Sequence, residues 1–344
     1  MKIGIDCRYL GKSGIGVYLR GILDNLDYTK HDYLLLGKNK LIKETIGEYL
    51  VLEDDTDPFS LSGLLFYNKK INDCDVIFIP HFIVPYGIKP KVFTTIHDLI
   101  ALDIKEYNNN KFDYLKKKYL IKRGIKKATH IFSVSNFTKN RIDYFFKKHP
   151  PVSITYNGLS KNLLDYIKNN DLGDIKKENY LVYVGNIKKH KGIDTLIDAA
   201  NYLEDSDTKI LIIGSKDNFR EKNDILLEKI KKSNVLFTGK ITSNELYSII
   251  ARAKFLIQPS RYEGFGIPPL EAYFLHTEAI ISDISVFKEI YGGIIDNVFK
   301  VNNAKDLANR INQGLQNVDF SLKKIEKYDY KNVTNIIIEE ITKR

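Results

Sequence analysis

Two successive series of short apolar runs, each run followed by a helix-like stretch, constrain this chain more than any other feature of its sequence. In the first series the runs are Ile3-Gly4-Ile5, Tyr33–Leu36, Val76–Ile79, Val92–Ile96, Ile131–Val134 and Val152–Tyr156. Unbroken apolar runs of this length suit strands buried on both faces, and the intervals leave room for the crossover helices that parallel strands need. One such interval carries Val17, Leu19, Ile22, Leu23 and Leu26 toward the core after a glycine loop, Gly11-Lys12-Ser13-Gly14-Ile15-Gly16. The pattern pauses near Asn157-Gly158, and Lys161 to Asn179 reads as a polar linker. A second series then runs through Leu181–Val184, Ile210–Ile213, Val235-Leu236-Phe237, Phe255-Leu256-Ile257 and Ala279–Ser282, which completes the sheet. The expected fold class is α/β, with two Rossmann-like doubly wound domains facing across a cleft, and 344 residues suffice for both cores. The boundaries fall at 1–165 and 172–324.

The chemistry concentrates after Phe255-Leu256-Ile257. A glycine-punctuated loop, Glu263-Gly264-Phe265-Gly266, leads into Pro268 and Pro269, which suit the first turn of a helix. Backbone amides at such a corner favour phosphate or a developing oxyanion. Two carboxylates, Glu263 and Glu271, flank it. An anion cradle with hydroxyl acceptors on both sides fits a ligand that is part phosphate and part sugar. A plain strand–loop–helix corner with two solvated glutamates is the alternative. Thr242-Ser243-Asn244-Glu245 has the form of a capping box. The loop from Gly185 to Gly192 offers Lys191 to a diphosphate, although surface lysines are common. His97, in Thr95-Ile96-His97-Asp98, follows a strand at its carboxyl end, where open α/β sheets place ligands; a loop-capping histidine is the alternative.

The ordered run from Glu263 to Ala272 resembles the two-glutamate signature of the family-4 (group 1) retaining glycosyltransferases. Such a resemblance implies a GT-B fold and a hexosyltransferase that takes a nucleotide-diphosphate sugar as substrate, with no cofactor and no metal. It implies that Glu271 accepts hydrogen bonds from ribose hydroxyls and that Glu263 contacts the transferred sugar. Amides of Gly264, Phe265 and Gly266, with Lys191, stabilise the diphosphate, and backbone near Lys240 and Ile241 meets the base. Ser13-Gly14-Ile15-Gly16 is similar to the family's Gly-Ile-Gly loop, which places Gly14 and Gly16 near the donor phosphates and His97 near the sugar or acceptor. Lys191-Gly192 matches the later part of the family's diphosphate grip, while Asn186 stands in place of its arginine and Lys188 is the candidate to supply the lost charge. The Gly-Asn…His-Lys pattern is similar to mannosyltransferases of surface-polysaccharide assembly. It favours GDP-mannose as donor and a glycan or lipid-linked acceptor, with UDP- and dTDP-sugars open. His276 and Glu278 depart from the family's Gly and Pro. The segment from about 325 to 344 resembles its last helices, which cross back to the first domain.

A net charge of +10 invites anionic partners. The helix-like stretch Lys111–Lys127 mixes lysines with Leu115, Tyr119, Leu120 and Ile121, which suits a solvated helix face or peripheral contact with an anionic membrane. No nucleic-acid-binding motif accompanies the charge, so nucleic acid is not expected as a partner. A non-catalytic nucleotide-sugar-binding protein and a basic nucleic-acid-binding protein are the alternatives from other classes. Asp55-Thr56-Asp57 and Asp205-Ser206-Asp207 read as solvated turns and not as metal ligands. Gly11-Lys12-Ser13 lacks the first glycine of a P-loop. Cys7 and Cys74 have no metal or disulfide spacing, no run is long enough to cross a bilayer, and the start at Met1-Lys2 lacks a leader, so a cytoplasmic location is expected.

Overall fold

The computed structural model describes residues 1–173, 175–214, 234–239, 241–315, 318, 320 and 327–343. The chain divides into two units, Met1–Ser160 with Lys327–Arg344, and Lys161–Glu326. In the first, seven strands form one parallel sheet: β1 (Lys2–Asp6), β2 (Asp32–Gly37), β3 (Val51–Glu53), β4 (Val76–Ile79), β5 (Lys91–Ile96), β6 (Ala128–Ser133) and β7 (Val152–Ile154). Their spatial order is β3-β2-β1-β4-β5-β6-β7. Ile3, Ile5, Leu35, Ile77, Phe93 and Ile131 are buried because helices cover both faces, which is why these strands read as unbroken apolar runs.

Four expectations need correction in this region and the next. The first helix spans Ser13–Leu23, so Gly14 and Gly16 lie inside its opening turn and not in a loop ahead of it. Val17 points outward and is 43% exposed. Gly16 is required there, since a Cβ would stand 2.8 Å from the Tyr9 carbonyl oxygen and 3.0 Å from the Gly11 nitrogen. Residues 161–169 are not linker: Lys161–Asn169 is a helix that buries Leu163 and packs against the helix Ser243–Arg252. The last helix, Tyr330–Thr342, packs on Ser13–Leu23, where Gly21 leaves room for the Tyr330 ring; a Cβ at Gly21 would meet that ring at 2.3 Å.

The second unit repeats the plan. Its strands are β8 (Glu178–Val184), β9 (Lys209–Ile213), β10 (Val235–Gly239), β11 (Ala253–Gln258), β12 (Ala279–Ser282) and β13 (Val298–Phe299), all parallel. Their order is β10-β9-β8-β11-β12-β13, so the sheet does not end at Ala279–Ser282. Leu181, Tyr183, Leu196, Ile212, Phe255 and Ile257 form the centre of its core. Thr242 and Glu245 make the capping box at the start of Ser243–Arg252, with Thr242 N donating to Glu245 Oε2 at 2.7 Å.

In both sheets the chain begins centrally, builds outward on one side, then returns to build the other. The order therefore reverses between β1 and β4 and between β8 and β11. The two peptide segments leaving such a pair diverge to opposite faces, which opens a crevice at the carboxyl ends where α/β sheets bind ligands.

Candidate functional site

At the β8/β11 crevice two loops are locked together. The segment after β8 turns through a short helix, Lys189–Lys191, and ends at Gly192 with φ +66°. Gly192 presses on the loop after β11 so closely that a Cβ would stand 1.9 Å from the Pro259 carbonyl oxygen. The Arg261 and Tyr262 amides donate to the His190 carbonyl at 2.7 and 3.4 Å. The Arg261 guanidinium adds a 2.6 Å ion pair with Asp194 and hydrogen bonds to the Lys189 carbonyl and Asn302.

This docking brings Lys191 onto Glu263. The ammonium donates to both carboxylate oxygens at 2.7 Å. Glu263 is only 8% exposed, and Ser260 Oγ and Gln258 Nε2 also donate to its Oε1, at 2.7 and 3.2 Å. Burial alone would push the Glu263 carboxyl up; the Lys191 charge and these hydrogen bonds outweigh it and hold the group below the ordinary glutamate range. His190 is pushed down to about 4 by burial and by the Lys191 charge, so it is neutral at physiological pH. Sequence reasoning singled out Lys191 and Glu263 separately; it missed Ser260, Gln258 and Arg261, which hold them.

Glu271 lies in the helix Pro268–Phe274, whose two leading prolines occupy its first positions. Among the described residues its carboxyl has no hydrogen bond or ion pair, and burial raises its pKa to about 7. A carboxyl poised at neutrality and lacking a donor is ready to accept hydroxyls. Gly266, at φ +84°, leaves no room for a side chain, since a Cβ would stand 2.6 Å from the Phe287 ring. Asn186 and Lys188 are exposed on the β8 loop, and Ile241 is half-buried just after β10. Lys240 lies outside the described residues.

In the first unit the β1/β4 crevice is filled from within. Arg8 forms a two-pronged pair with Asp6 at 2.9 and 2.7 Å and reaches the Gly63 carbonyl at 2.9 Å. His81, fully buried, stands 3.9 Å from Asp6. None of these three figured among the expected site residues. His97, after β5, donates from Nε2 to the Pro80 carbonyl at 2.9 Å, which leaves Nδ1 as an acceptor. Burial lowers its pKa to about 4, so it too is neutral. Gly14 has open space beside it: apart from its chain neighbours and its own helix backbone, no described residue comes within 4 Å of where a Cβ would stand. Among the described residues no group of three or more His, Cys, Asp or Glu could hold a metal ion, and no helix is long and apolar enough to cross a membrane.

Replacing Gly192 by alanine is expected to cost about 1–3 kcal/mol and to unlock the two loops, because left-handed strain adds to the clash with Pro259. Gly239→Ala, at φ +73° with no described residue beyond its chain neighbours within 4 Å of the added Cβ, supplies the control for the strain alone. Thermal unfolding of the two variants side by side measures the difference; equal losses would show that the loops are not held by that contact.

Residues 167–332 match the family of group 1 glycosyl transferases. The chain is 30% identical over 219 residues to the O-antigen chain mannosyltransferase RfbU of Salmonella typhimurium, a match that covers 60% of this chain and 60% of that one. It is 27% identical over 312 residues to an uncharacterized glycosyltransferase of Methanocaldococcus jannaschii, covering 87% of this chain and 76% of the relative. Among solved structures, Anabaena Alr3699/HepE in complex with UDP-glucose superposes with a TM-score of 0.75 at 15% identity, over 100% of both chains. At that identity the likeness establishes the fold, and the fold is GT-B, with two Rossmann-like domains.

Proposed function

Taking the group 1 glycosyl transferase match over residues 167–332 as the premise, we propose that this chain is a retaining glycosyltransferase. It moves a hexose from a nucleotide-diphosphate sugar to a glycan or lipid-linked acceptor. The observation that carries the reading is the β8/β11 crevice, where Lys191 rests on buried Glu263 while, among the described residues, no group donates to the Glu271 carboxyl.

As the glycosidic bond lengthens, negative charge builds on the leaving diphosphate and positive charge on the sugar ring. The Lys191 ammonium and the amides from Gly264 to Gly266 supply the counter-charge for the phosphates. When Lys191 turns to a phosphate, Glu263 loses its partner and takes hydroxyls of the transferred sugar instead. Exchange of one partner for the other avoids leaving a buried charge unpaired in either state. Glu271 accepts the ribose hydroxyls, and the backbone beside Ile241 meets the base. Gly14, Gly16 and His97 are assigned to the first unit's share of the work. The neutral imidazole offers Nδ1 to a hydroxyl.

For the donor, UDP-sugars come first. Solved structures of the same fold are described in complex with UDP or UDP-glucose, and this weighs against the leaning to GDP-mannose taken from the Gly-Asn…His-Lys pattern. GDP-mannose is the second reading, supported by relatives described as O-antigen chain mannosyltransferases. Thermal-shift screening with UDP, GDP and dTDP tests both, since a ligand that binds only the folded state raises its melting temperature. One nucleotide is expected to do so in the wild type and not in Glu271→Ala.

A pH series adds a second readout. Hydroxyl donors favour ionised Glu271, so binding must drive off the proton that the free site holds below about 7. Affinity is expected to rise about tenfold from pH 6 to pH 8, and the profile of Glu271→Gln to be flat. If no nucleotide stabilises the protein at millimolar concentration, or if the variants respond like the wild type, the donor-site assignment fails.

A further inference from the structure

The helix Lys111–Lys127 carries seven lysines and one arginine against one aspartate, a net +7. It also exposes large apolar side chains: Phe112 is 76%, Leu115 51% and Tyr119 56% exposed. At 3.6 residues per turn these three fall within an arc of about 60°. Lys116 and Lys127 border that arc on one side, and Lys111, Lys118 and Lys122 on the other.

The stripe continues onto neighbouring elements of the same unit. Tyr86 Oη lies 3.1 Å from Tyr119 Oη, and the Arg123 guanidinium stacks 3.8 Å above the Tyr86 ring. The Tyr86 amide in turn donates to the Leu64 carbonyl at 2.8 Å. This joins the helix to a second exposed apolar segment, in which Leu61 is 70% and Phe66 74% exposed. The buried Arg8, through its bond to the Gly63 carbonyl, holds that segment against β1.

Contiguous exposed apolar surface of this kind marks an interaction site. We propose that this face docks on a lipid bilayer with an anionic surface. Phe112, Leu115 and Phe66 would enter the headgroup–acyl boundary while the bordering lysines reach lipid phosphates along their own methylene stems. Charge complementarity selects this occupant. A neutral apolar partner would leave the two lysine rows unused, and a nucleic-acid backbone would gain nothing from the apolar centre. The inference rests on the first unit alone and not on the transfer reading.

The test uses the full chain. It contains no tryptophan, so Phe112→Trp provides the sole indole reporter. With vesicles of phosphatidylcholine containing phosphatidylglycerol, the emission is expected to shift to the blue. Co-sedimentation is expected to be about tenfold or more stronger than with phosphatidylcholine alone, and to weaken at high salt. Leu115→Ser with Tyr119→Ser, and separately Lys116→Glu with Lys118→Glu and Lys122→Glu, are each expected to cut binding about tenfold with unchanged melting temperature. Equal binding to neutral vesicles, no vesicle binding, or full binding by both variants would overturn the proposal. So would binding of generic duplex DNA by a protein that leaves vesicles untouched.

Discussion

Lys191→Met is expected to destabilise the second unit by on the order of 3 kcal/mol at pH 8, because it leaves the buried Glu263 carboxylate without its cation. Lys191 is 23% exposed, which places the cost toward the lower end of what breaking a buried pair produces. The pH dependence is the sharper measurement. In the wild type the Glu263 pKa is lowered, so its contribution is present above the ordinary glutamate range and fades only as pH falls through the lowered value. In the variant the burial remains and the cation is gone, so the folded pKa moves above its unfolded value. The sign then reverses: the carboxyl is tolerated when protonated, and stability is lost as pH rises. Denaturant unfolding at pH 5 and pH 8 should therefore show a smaller deficit at the lower pH, where the variant's carboxyl takes up a proton while the wild type keeps its ion pair. Lys191→Met with Glu263→Gln should recover most of the stability at pH 8 while remaining inactive. A deficit that does not depend on pH would mean that the ion pair contributes only packing.

The wide visibility of the fold and the narrow visibility of this pair have one physical origin. Strands buried on both faces must be apolar along their whole length, so β1, β4, β8 and β11 announce themselves locally. β3 and β13 do not: three and two residues at the sheet edges are too short to carry a pattern. Lys161–Asn169 was hidden because it fully buries only Leu163, leaving Leu164 exposed and Tyr166 and Ile167 half-buried among polar residues. Gly14 and Gly16 look like loop residues, and only the passage of the helix over Tyr9 and Gly11 explains why Gly16 sits inside one. Lys191 and Glu263 lie 72 residues apart, and their meeting depends on two strands becoming neighbours. Ser260 and Gln258 carry no local sign of purpose, since their role is to point at a group that arrives from elsewhere. A loop that resembles a known signature is legible in one chain; the partners that charge and bury it are set by topology.

The same reasoning gives the second large effect, at the other topological reversal. Arg8→Met is expected to cost about 3–5 kcal/mol, since Asp6 and the Arg8 side chain are almost wholly buried and, among the described residues, Asp6 has no other cation in hydrogen-bonding range. Burial would raise the Asp6 pKa, yet Arg8 outweighs it and keeps the carboxyl below its ordinary value. His81 is held near 4 by burial, with the Arg8 charge adding to the effect and Asp6 opposing it. Removal of Arg8 releases both constraints in the same direction. The Asp6 pKa rises, the His81 pKa rises toward the remaining carboxylate 3.9 Å away, and the pair can take up a proton between them. The variant should accordingly be more stable at pH 5 than at pH 8, whereas in the wild type Asp6 loses its contribution only as pH falls below the ordinary aspartate value of 3.8. Loss of the bond to the Gly63 carbonyl should also loosen the segment that carries Leu61 and Phe66, and amide exchange at Gly63 and Leu64 should accelerate. Arg8→Met with Asp6→Asn removes the orphaned charge but not that tether. Recovery of stability in the double variant without recovery of exchange protection would separate the two roles of Arg8, and a single variant as stable as the wild type at both pH values would refute them.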